Sequence, residues 1–203
     1  MKKTLAQLAG GLAMVCLSHS AMAASVLDFT NDNTDFTGTI EGTSYDLTGT
    51  PYAPNTNQAF DGNNSLKVSS GLTLDNDGVG ISNDEVSTSQ TLMLDFGKAV
   101  RITALSFLDI FGAENALVTF GNGQSLSVTA QGLTGGYALS SLNIVTDSIA
   151  FTAPAGLSDD AVNDFALASV SVSAVPVPAA AFLFAPALLG FMGLRRKAQR
   201  HTA

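Results

Sequence analysis

The fold class is predicted most directly from the stretch Leu92-Met93-Leu94-Asp95-Phe96-Gly97-Lys98-Ala99-Val100-Arg101-Ile102-Thr103-Ala104-Leu105-Ser106-Phe107. In its first half, large apolar side chains occupy every second position, at Leu92, Leu94 and Phe96. This is the period of a β-strand with one buried face. Gly97-Lys98 then predicts a turn, and residues 100–107 predict a second strand.

Short runs of the same kind recur through the middle of the chain, and none shows a sustained helical period. Glu41-Gly42 and Asn122-Gly123 each separate two such runs and predict hairpins, since Asn and Gly tolerate positive φ. About ten short strands indicate an all-β fold, and we expect a jelly-roll-like antiparallel β-sandwich. Strands are predicted at residues 26–29, 36–40, 43–47, 66–68, 92–96, 100–107, 117–120, 125–129, 137–144, 148–151 and 165–172.

The N-terminus has the pattern of a secretory signal peptide. Lys2 and Lys3 precede an apolar run at residues 5–17, and Ala21-Met22-Ala23 forms a small-x-small cleavage site. The pattern predicts a signal peptide over residues 1–23 and a mature chain that begins at Ala24.

The C-terminus carries no charge from Val175 to Leu194, a length that spans a bilayer as a helix. Arg195, Arg196 and Lys197 follow directly, and the positive-inside rule keeps them in the cytoplasm. We therefore predict a β-sandwich domain over residues 24–174 and a terminal segment over residues 175–203, anchored in the inner membrane by a helix.

This terminal segment resembles the PEP-CTERM sorting signal of Gram-negative bacteria, in its Val-Pro-x-Pro-Ala variant. The motif is Val175, Pro176, Val177 and Pro178, followed by the apolar span and the basic cluster. The resemblance implies cleavage by an exosortase-type membrane protease and association with exopolysaccharide and biofilm. A plain anchor that is never cut is the alternative.

The middle of the chain also resembles domains that often precede such a tail. The runs at residues 78–81, 92–96, 100–107 and 164–172 follow their usual order. The resemblance implies a sandwich fold, in some cases similar to carbohydrate-binding modules.

The domain is strongly acidic. All 17 acidic residues lie between Asp28 and Asp164, against three basic residues in that stretch, which gives a net charge of −14. Such a surface repels nucleic acid and anionic lipid headgroups, so no nucleic-acid partner is expected. The stretch also has no Cys, His or Trp, which closes the Ser-His-Asp and Cys-His routes of catalysis.

Acidic clusters raise the possibility of a calcium site, because hard cations prefer carboxylate oxygens. The first and last strands of many jelly rolls lie together, so Asp28 and Asp164 are candidates. The alternative is that these residues sit in turns and keep the surface soluble. The candidate calcium ligands are Asp28, Asp75, Asp77, Asp160 and Asp164.

Two functions stay open. One is a non-enzymatic protein of the cell surface or extracellular matrix. The other is a carbohydrate-binding module with structural calcium, in which Tyr45, Tyr52 or Tyr137 stacks on sugar rings. In both, the chain is exported, membrane-anchored before processing, and then displayed or released.

Overall fold

A computed structural model of the chain describes residues 23–31, 33–50, 67–69, 71–82, 85–130, 135–155 and 163–175. These residues form twelve β-strands and no helix. The strands that pair with one another all do so antiparallel, which confirms the all-β antiparallel prediction. In chain order they are β1 (Ser25–Asp28), β2 (Thr37–Ile40), β3 (Thr43–Thr50), β4 (Lys67–Ser69), β5 (Leu72–Asp75), β6 (Gly78–Ile81), β7 (Thr91–Leu108), β8 (Asn115–Phe120), β9 (Ser125–Thr129), β10 (Gly136–Leu139), β11 (Ile144–Thr152) and β12 (Ala166–Ala174).

Strand β7 is 18 residues long and organises the others. One of its edges pairs with β3 over residues 91–96 and then with β12 over residues 100–108. Its other edge pairs with β11 and then with β10. Strands β2 and β3 therefore extend the sheet from the first half of β7, while β12, β6, β5 and β4 extend it from the second half.

The two parts of the sheet pack face to face as a β-sandwich. A Cβ built on Gly49 of β3 would lie 2.6 Å from Cγ1 of Ile81 on β6, so these strands meet across the core. Phe107 contacts Phe151 and Phe165 edge-on, with ring centroids 6.1 and 5.6 Å apart. All three rings are buried. Burial of apolar surface from every part of the sheet thus holds the layers together.

The Gly97-Lys98 turn predicted from the sequence is wrong. β7 continues through it, because the strand stays antiparallel to β11 on both sides, with Val100 opposite Thr146 and Asp95 opposite Ser148. The four residues 96–99 bulge opposite the single residue Asp147. Glycine fits here because a Cβ on Gly97 would overlap the Ser44 side chain.

A second irregularity of β7 changes which residues point inward. Leu92, Leu94 and Phe96 are buried, as their alternation predicts. Thr103 is an extra residue relative to β12, since Ile102 pairs with Val172 and the next paired residue is Ala104. A bulge of one residue reverses the alternation, so the odd-numbered Leu105 and Phe107 are buried beyond it.

Other elements follow or depart from the prediction for local reasons. Glu41 and Gly42 both have positive φ, at 50° and 68°, and join β2 to β3 as predicted. The β8–β9 hairpin forms at Asn122-Gly123, where only Gly123 has positive φ. The run at residues 137–144 is divided between β10 and β11. Strands β5 and β6 had no alternating signal, because all their residues are buried.

The predicted signal peptide over residues 1–23 lies outside the described residues except for Ala23. The predicted helix and basic cluster of the terminal segment also lie outside them. Within the described part of the chain, no helix is long and apolar enough to span a membrane.

Candidate functional site

An open depression of about 450 Å³ lies on the side of the sheet where β1, β12, β7 and β10 run next to one another. Its polar lining comes from Asp28, Thr30, Ser106 and Ser169. Apolar lining is added by Val26, Phe107, Leu108, Tyr137 and Ala168.

Three of the polar residues form a row across three strands. Asp28 of β1 pairs with Ser169 of β12, and Ser169 pairs with Ser106 of β7. Residues opposite one another in antiparallel strands point to the same face, and neighbouring strands are about 4.8 Å apart. The row therefore places one carboxylate and two hydroxyls side by side over about 10 Å. All three residues are half-buried.

A bulge in β12 lies beside this face. Ala168 is an extra residue of β12, because Leu167 pairs with Phe107 whereas Ser169 pairs with Ser106. A bulge of this kind bends the strand and redirects its side chains. Ala168 itself is buried, and its carbonyl accepts a hydrogen bond from the Phe29 N–H at 2.8 Å. Val26 borders the depression with 54% of its surface exposed.

The tyrosines differ in their surroundings. Tyr45 is buried beneath Gly38 and donates its hydroxyl to the Asp35 carbonyl at 2.9 Å, so its ring belongs to the core. Burial raises the pKa of Tyr45, and the nearby Asp35 charge adds to the effect. Tyr137 lines the depression but lies opposite the buried Phe107 and packs against the core. Tyr52 lies outside the described residues.

A second polar centre lies around Asp164, which follows a segment outside the description and precedes β12. Its carboxyl group is hydrogen-bonded to that of Glu114, and the charge of Asp109 acts on it as well. Burial, then the Glu114 charge and hydrogen bond, then the Asp109 charge raise the pKa of Asp164 to about 7. Burial also raises the pKa of Glu114, against the effect of the hydrogen bond that it accepts from the Phe111 N–H. The two carboxyl groups therefore share a proton near neutral pH.

Asn163 holds this centre in place. Its side chain is buried, and its amide donates to the carbonyls of Asn115 at 3.0 Å and Pro154 at 2.7 Å. Its side-chain oxygen accepts from the Asn115 N–H at 2.8 Å, and its own carbonyl accepts from Thr88. One side chain thus joins the start of β8, the end of β11 and the approach to β12. No sequence pattern indicates this role, because the partners of Asn163 are 9 to 75 residues away.

The predicted calcium ligands occupy different surroundings. Asp28 accepts two hydrogen bonds from Thr30, and its strand partner is Ser169 rather than Asp164. Asp75 is buried and pairs with Gly78, so Asp75 and Asp77 belong to the tight turn between β5 and β6. Asp160 lies outside the description. Among the residues that the structure describes, no three His, Cys, Asp or Glu side chains form a group that could hold a metal.

Direct contact between Glu114 and Asp164 limits what the pair can do. Glycosidase carboxyl groups stand about 5 to 9.5 Å apart, to leave room for a sugar or a water. A directly hydrogen-bonded pair leaves no such gap. Neither residue lines the depression. The geometry fits a half-buried structural contact better than a hydrolytic site.

The raised pKa of Asp164 makes stability depend on pH. The folded state holds the proton more tightly than the unfolded chain, so stability from this group is present below pH 4 and is lost as pH rises to about 7. Asp164→Asn keeps a hydrogen-bond donor without the charge. We expect this variant to match the wild type near pH 4 and to exceed it by about 2 kcal/mol above pH 7, after allowance for solvent screening.

Urea unfolding at a series of pH values measures this difference. Asp46→Asn, at an exposed position of β3, is the matched control and should show no comparable gain. A difference between Asp164→Asn and wild type that stays constant from pH 4 to pH 8 contradicts the shared proton.

Comparisons with known proteins give only distant structural similarity. No protein-family model and no curated protein matches the chain. Three Clostridium perfringens structures show similarity at TM-scores of 0.30 to 0.35, values at which nothing about ligand or site follows.

The first is CBM32-3 from a family 31 glycoside hydrolase, 14% identical, with a TM-score of 0.30 over 45% of this chain and 69% of that one. The second is the module CpGH89CBM32-5 in complex with GalNAc-β-1,3-galactose, 12% identical, with a TM-score of 0.35 over 74% of this chain and 100% of that one. The third is the family 32 carbohydrate-binding module of NanJ in complex with galactose, 14% identical, with a TM-score of 0.31 over 75% of this chain and 93% of that one.

Proposed function

We propose that the chain is an exported, non-enzymatic protein whose β-sandwich binds a glycan in the depression between β1, β12, β7 and β10. The observation that carries the proposal is the row of Asp28, Ser169 and Ser106 beside exposed apolar surface. Exopolysaccharide is the proposed partner.

The chemistry of the depression suits a sugar. Hydroxyl groups both donate and accept hydrogen bonds, and a carboxylate accepts several, which matches the alternating O–H groups of a pyranose. Val26 and Leu108 supply apolar contacts for the C–H face of a ring. An open depression also admits a residue within a long polymer, whereas an enclosed cavity admits only a free end.

A non-enzymatic role agrees with the polar groups at hand. The depression offers Asp28 as its carboxylate, without a second acid or base among its described lining residues. The residues with raised carboxyl pKa values lie elsewhere and contact each other. The proposed role is therefore adhesion within the cell surface or extracellular matrix. We also propose the jelly-roll type of sandwich, supported by the pairing of β1 with β12.

For export and sorting, the support comes from the sequence patterns at both ends. We propose secretion with cleavage after Ala23, retention by the terminal apolar span, and exosortase-type processing near Val175, Pro176, Val177 and Pro178. The first described strand begins at Ser25 and the last ends at Ala174. In the sequence, both predicted signals lie outside these strand bounds.

A larger side chain within the depression should weaken glycan binding. Ser169→Tyr places a ring in the depression, on the opposite face from the core, and we expect glycan affinity to fall at least tenfold, about 1.4 kcal/mol. Ser127→Tyr, at an exposed position of β9, is the control and should bind normally. Isothermal titration with the glycans selected on an array gives both affinities. Unchanged binding by Ser169→Tyr would place the site elsewhere.

Sorting is tested by the prolines of the motif. Pro lacks an N–H and restricts its predecessor, so Pro176 and Pro178 favour the extended backbone that proteases accept. We expect the double Ala variant to accumulate uncut in the membrane, at larger mass than the mature wild type. Pro186→Ala, within the apolar span, is the control and should mature normally. Intact mass of the released protein decides, and normal maturation of the double variant would leave a plain anchor.

We propose calcium as the metal, if the domain holds one, with a stabilising role. Its oxygen donors would come from the predicted ligands Asp28, Asp75, Asp77, Asp160 and Asp164. A cation that binds only the folded state raises the melting temperature. We expect a higher melting temperature in millimolar calcium than in chelator, and equal values would show that the folded domain binds no calcium.

A further inference from the structure

The depression has one sign of charge. Asp28 is the charged residue among its described lining residues. Its Oδ1 accepts hydrogen bonds from the Thr30 N–H at 3.0 Å and from the Thr30 hydroxyl at 2.7 Å. These bonds fix the orientation of the carboxylate. A carboxylate has about four acceptor positions, so the group retains capacity for a ligand.

No basic side chain offsets this carboxylate within the described lining. The basic residues of the described segments are Lys67, Lys98 and Arg101. Arg101 precedes Ser106 by five residues on β7, about 16 Å along the strand, and donates to the side chain of Asn143. An anionic ligand would therefore meet the Asp28 charge without compensation, and the net charge of −14 over residues 24–174 adds to the repulsion.

Two serine hydroxyls lie beside the Asp28 carboxylate in the row of polar groups. Ser169 lies next to Asp28 and Ser106 lies beyond it, at successive steps of about 4.8 Å. One pyranose ring is about as wide as one such step. A sugar seated over Ser169 therefore presents one edge to the Asp28 carboxylate and the opposite edge to the Ser106 hydroxyl.

We propose that the depression selects sugars with a free amino group, and discriminates against uronic and sulfated sugars. The inference rests on the proposed glycan-binding function and names its ligand class. An ammonium group donates up to three N–H bonds. Its bond to Asp28 is charge-assisted and about twice as strong as a neutral one. The hydroxyls of Ser169 and Ser106 form hydrogen bonds with the hydroxyl groups of the same sugar ring.

The test compares the affinities of three oligosaccharides of equal length for the mature secreted protein, which contains the whole β-sandwich. They are β-1,4-linked glucosamine, its N-acetylated counterpart and oligogalacturonate. We expect titration calorimetry to show glucosamine binding at least tenfold more tightly than the N-acetylated oligomer, with no measurable binding of the uronate.

Variants separate the site from general attraction to an acidic protein. Asp28→Asn keeps an oxygen for Thr30 but removes the negative charge, and we expect it to lose the tenfold preference for the glucosamine oligomer over the N-acetylated one. Asp46→Asn removes the same charge from an exposed position of β3 and should keep the preference. Equal melting temperatures confirm that both variants are folded.

The outcomes distinguish the two proposals. If the wild type binds the N-acetylated oligomer but shows no preference for the amine, the amino-sugar inference fails and glycan binding stands. The same holds if Asp28→Asn retains the preference, or if Asp46→Asn loses it equally. If the wild type binds no glycan in the titrations or on the array, the proposed function fails as well.

Discussion

Strand β7 must satisfy its backbone hydrogen bonds along two edges over 18 residues, and the rest of the domain is arranged by that requirement. Four different strands supply these hydrogen bonds. β3 and β12 divide one edge, and β11 and β10 divide the other. Because β3 and β12 continue into different parts of the sheet, β7 belongs to both layers of the sandwich. The apolar side chains on its inner face, from Leu92 to Phe107, lie in the shared core.

Two bulges turn this scaffold into a surface with a depression. The extra residue at Thr103 reverses the alternation of β7, so that Ser106 and Leu108 face outward while Phe107 stays in the core. An extra residue at Ala168 adjusts β12 by one position as well. Together they bring Ser106 and Ser169 into line with Asp28 of β1. Bulges often occur where a sheet presents side chains for binding, and here they determine which polar groups stand together.

The carboxyl group of Asp28 and those of the Glu114–Asp164 pair lie in different environments. Asp28 borders the open depression and is oriented by Thr30. Asp164 and Glu114 follow and precede two residues, Asn163 and Asn115, that are hydrogen-bonded to each other. Burial of the two carboxyl groups favours a shared proton over two separate charges. A carboxyl group thus lines an open depression in one place and forms a pH-dependent structural contact in the other. The difference arises from burial and neighbours.

Local features of the domain could be predicted from the sequence. Alternation at Leu92, Leu94 and Phe96 predicted a strand with one buried face, and Glu41-Gly42 predicted a tight hairpin, because both signals depend on residues that are close in the chain. The net acidic charge of residues 24–174 and their lack of His and Cys also follow directly from the sequence. Asp28 and Asp164 were identified as functional candidates, although not with their partners.

The partners of these residues depend on how distant strands pair. Asp28, Ser106 and Ser169 are brought together by register across three strands, and a shift of one residue would turn each side chain to the other face. Likewise, Gly97-Lys98 carries a turn signal, yet pairing with β11 on both sides keeps the strand continuous. Strands β5 and β6 are buried on both faces, so they lack the alternation that would reveal them. In each case the deciding interaction joins residues that are distant in sequence, and local preference yields to the hydrogen bonds and burial that the whole sheet provides.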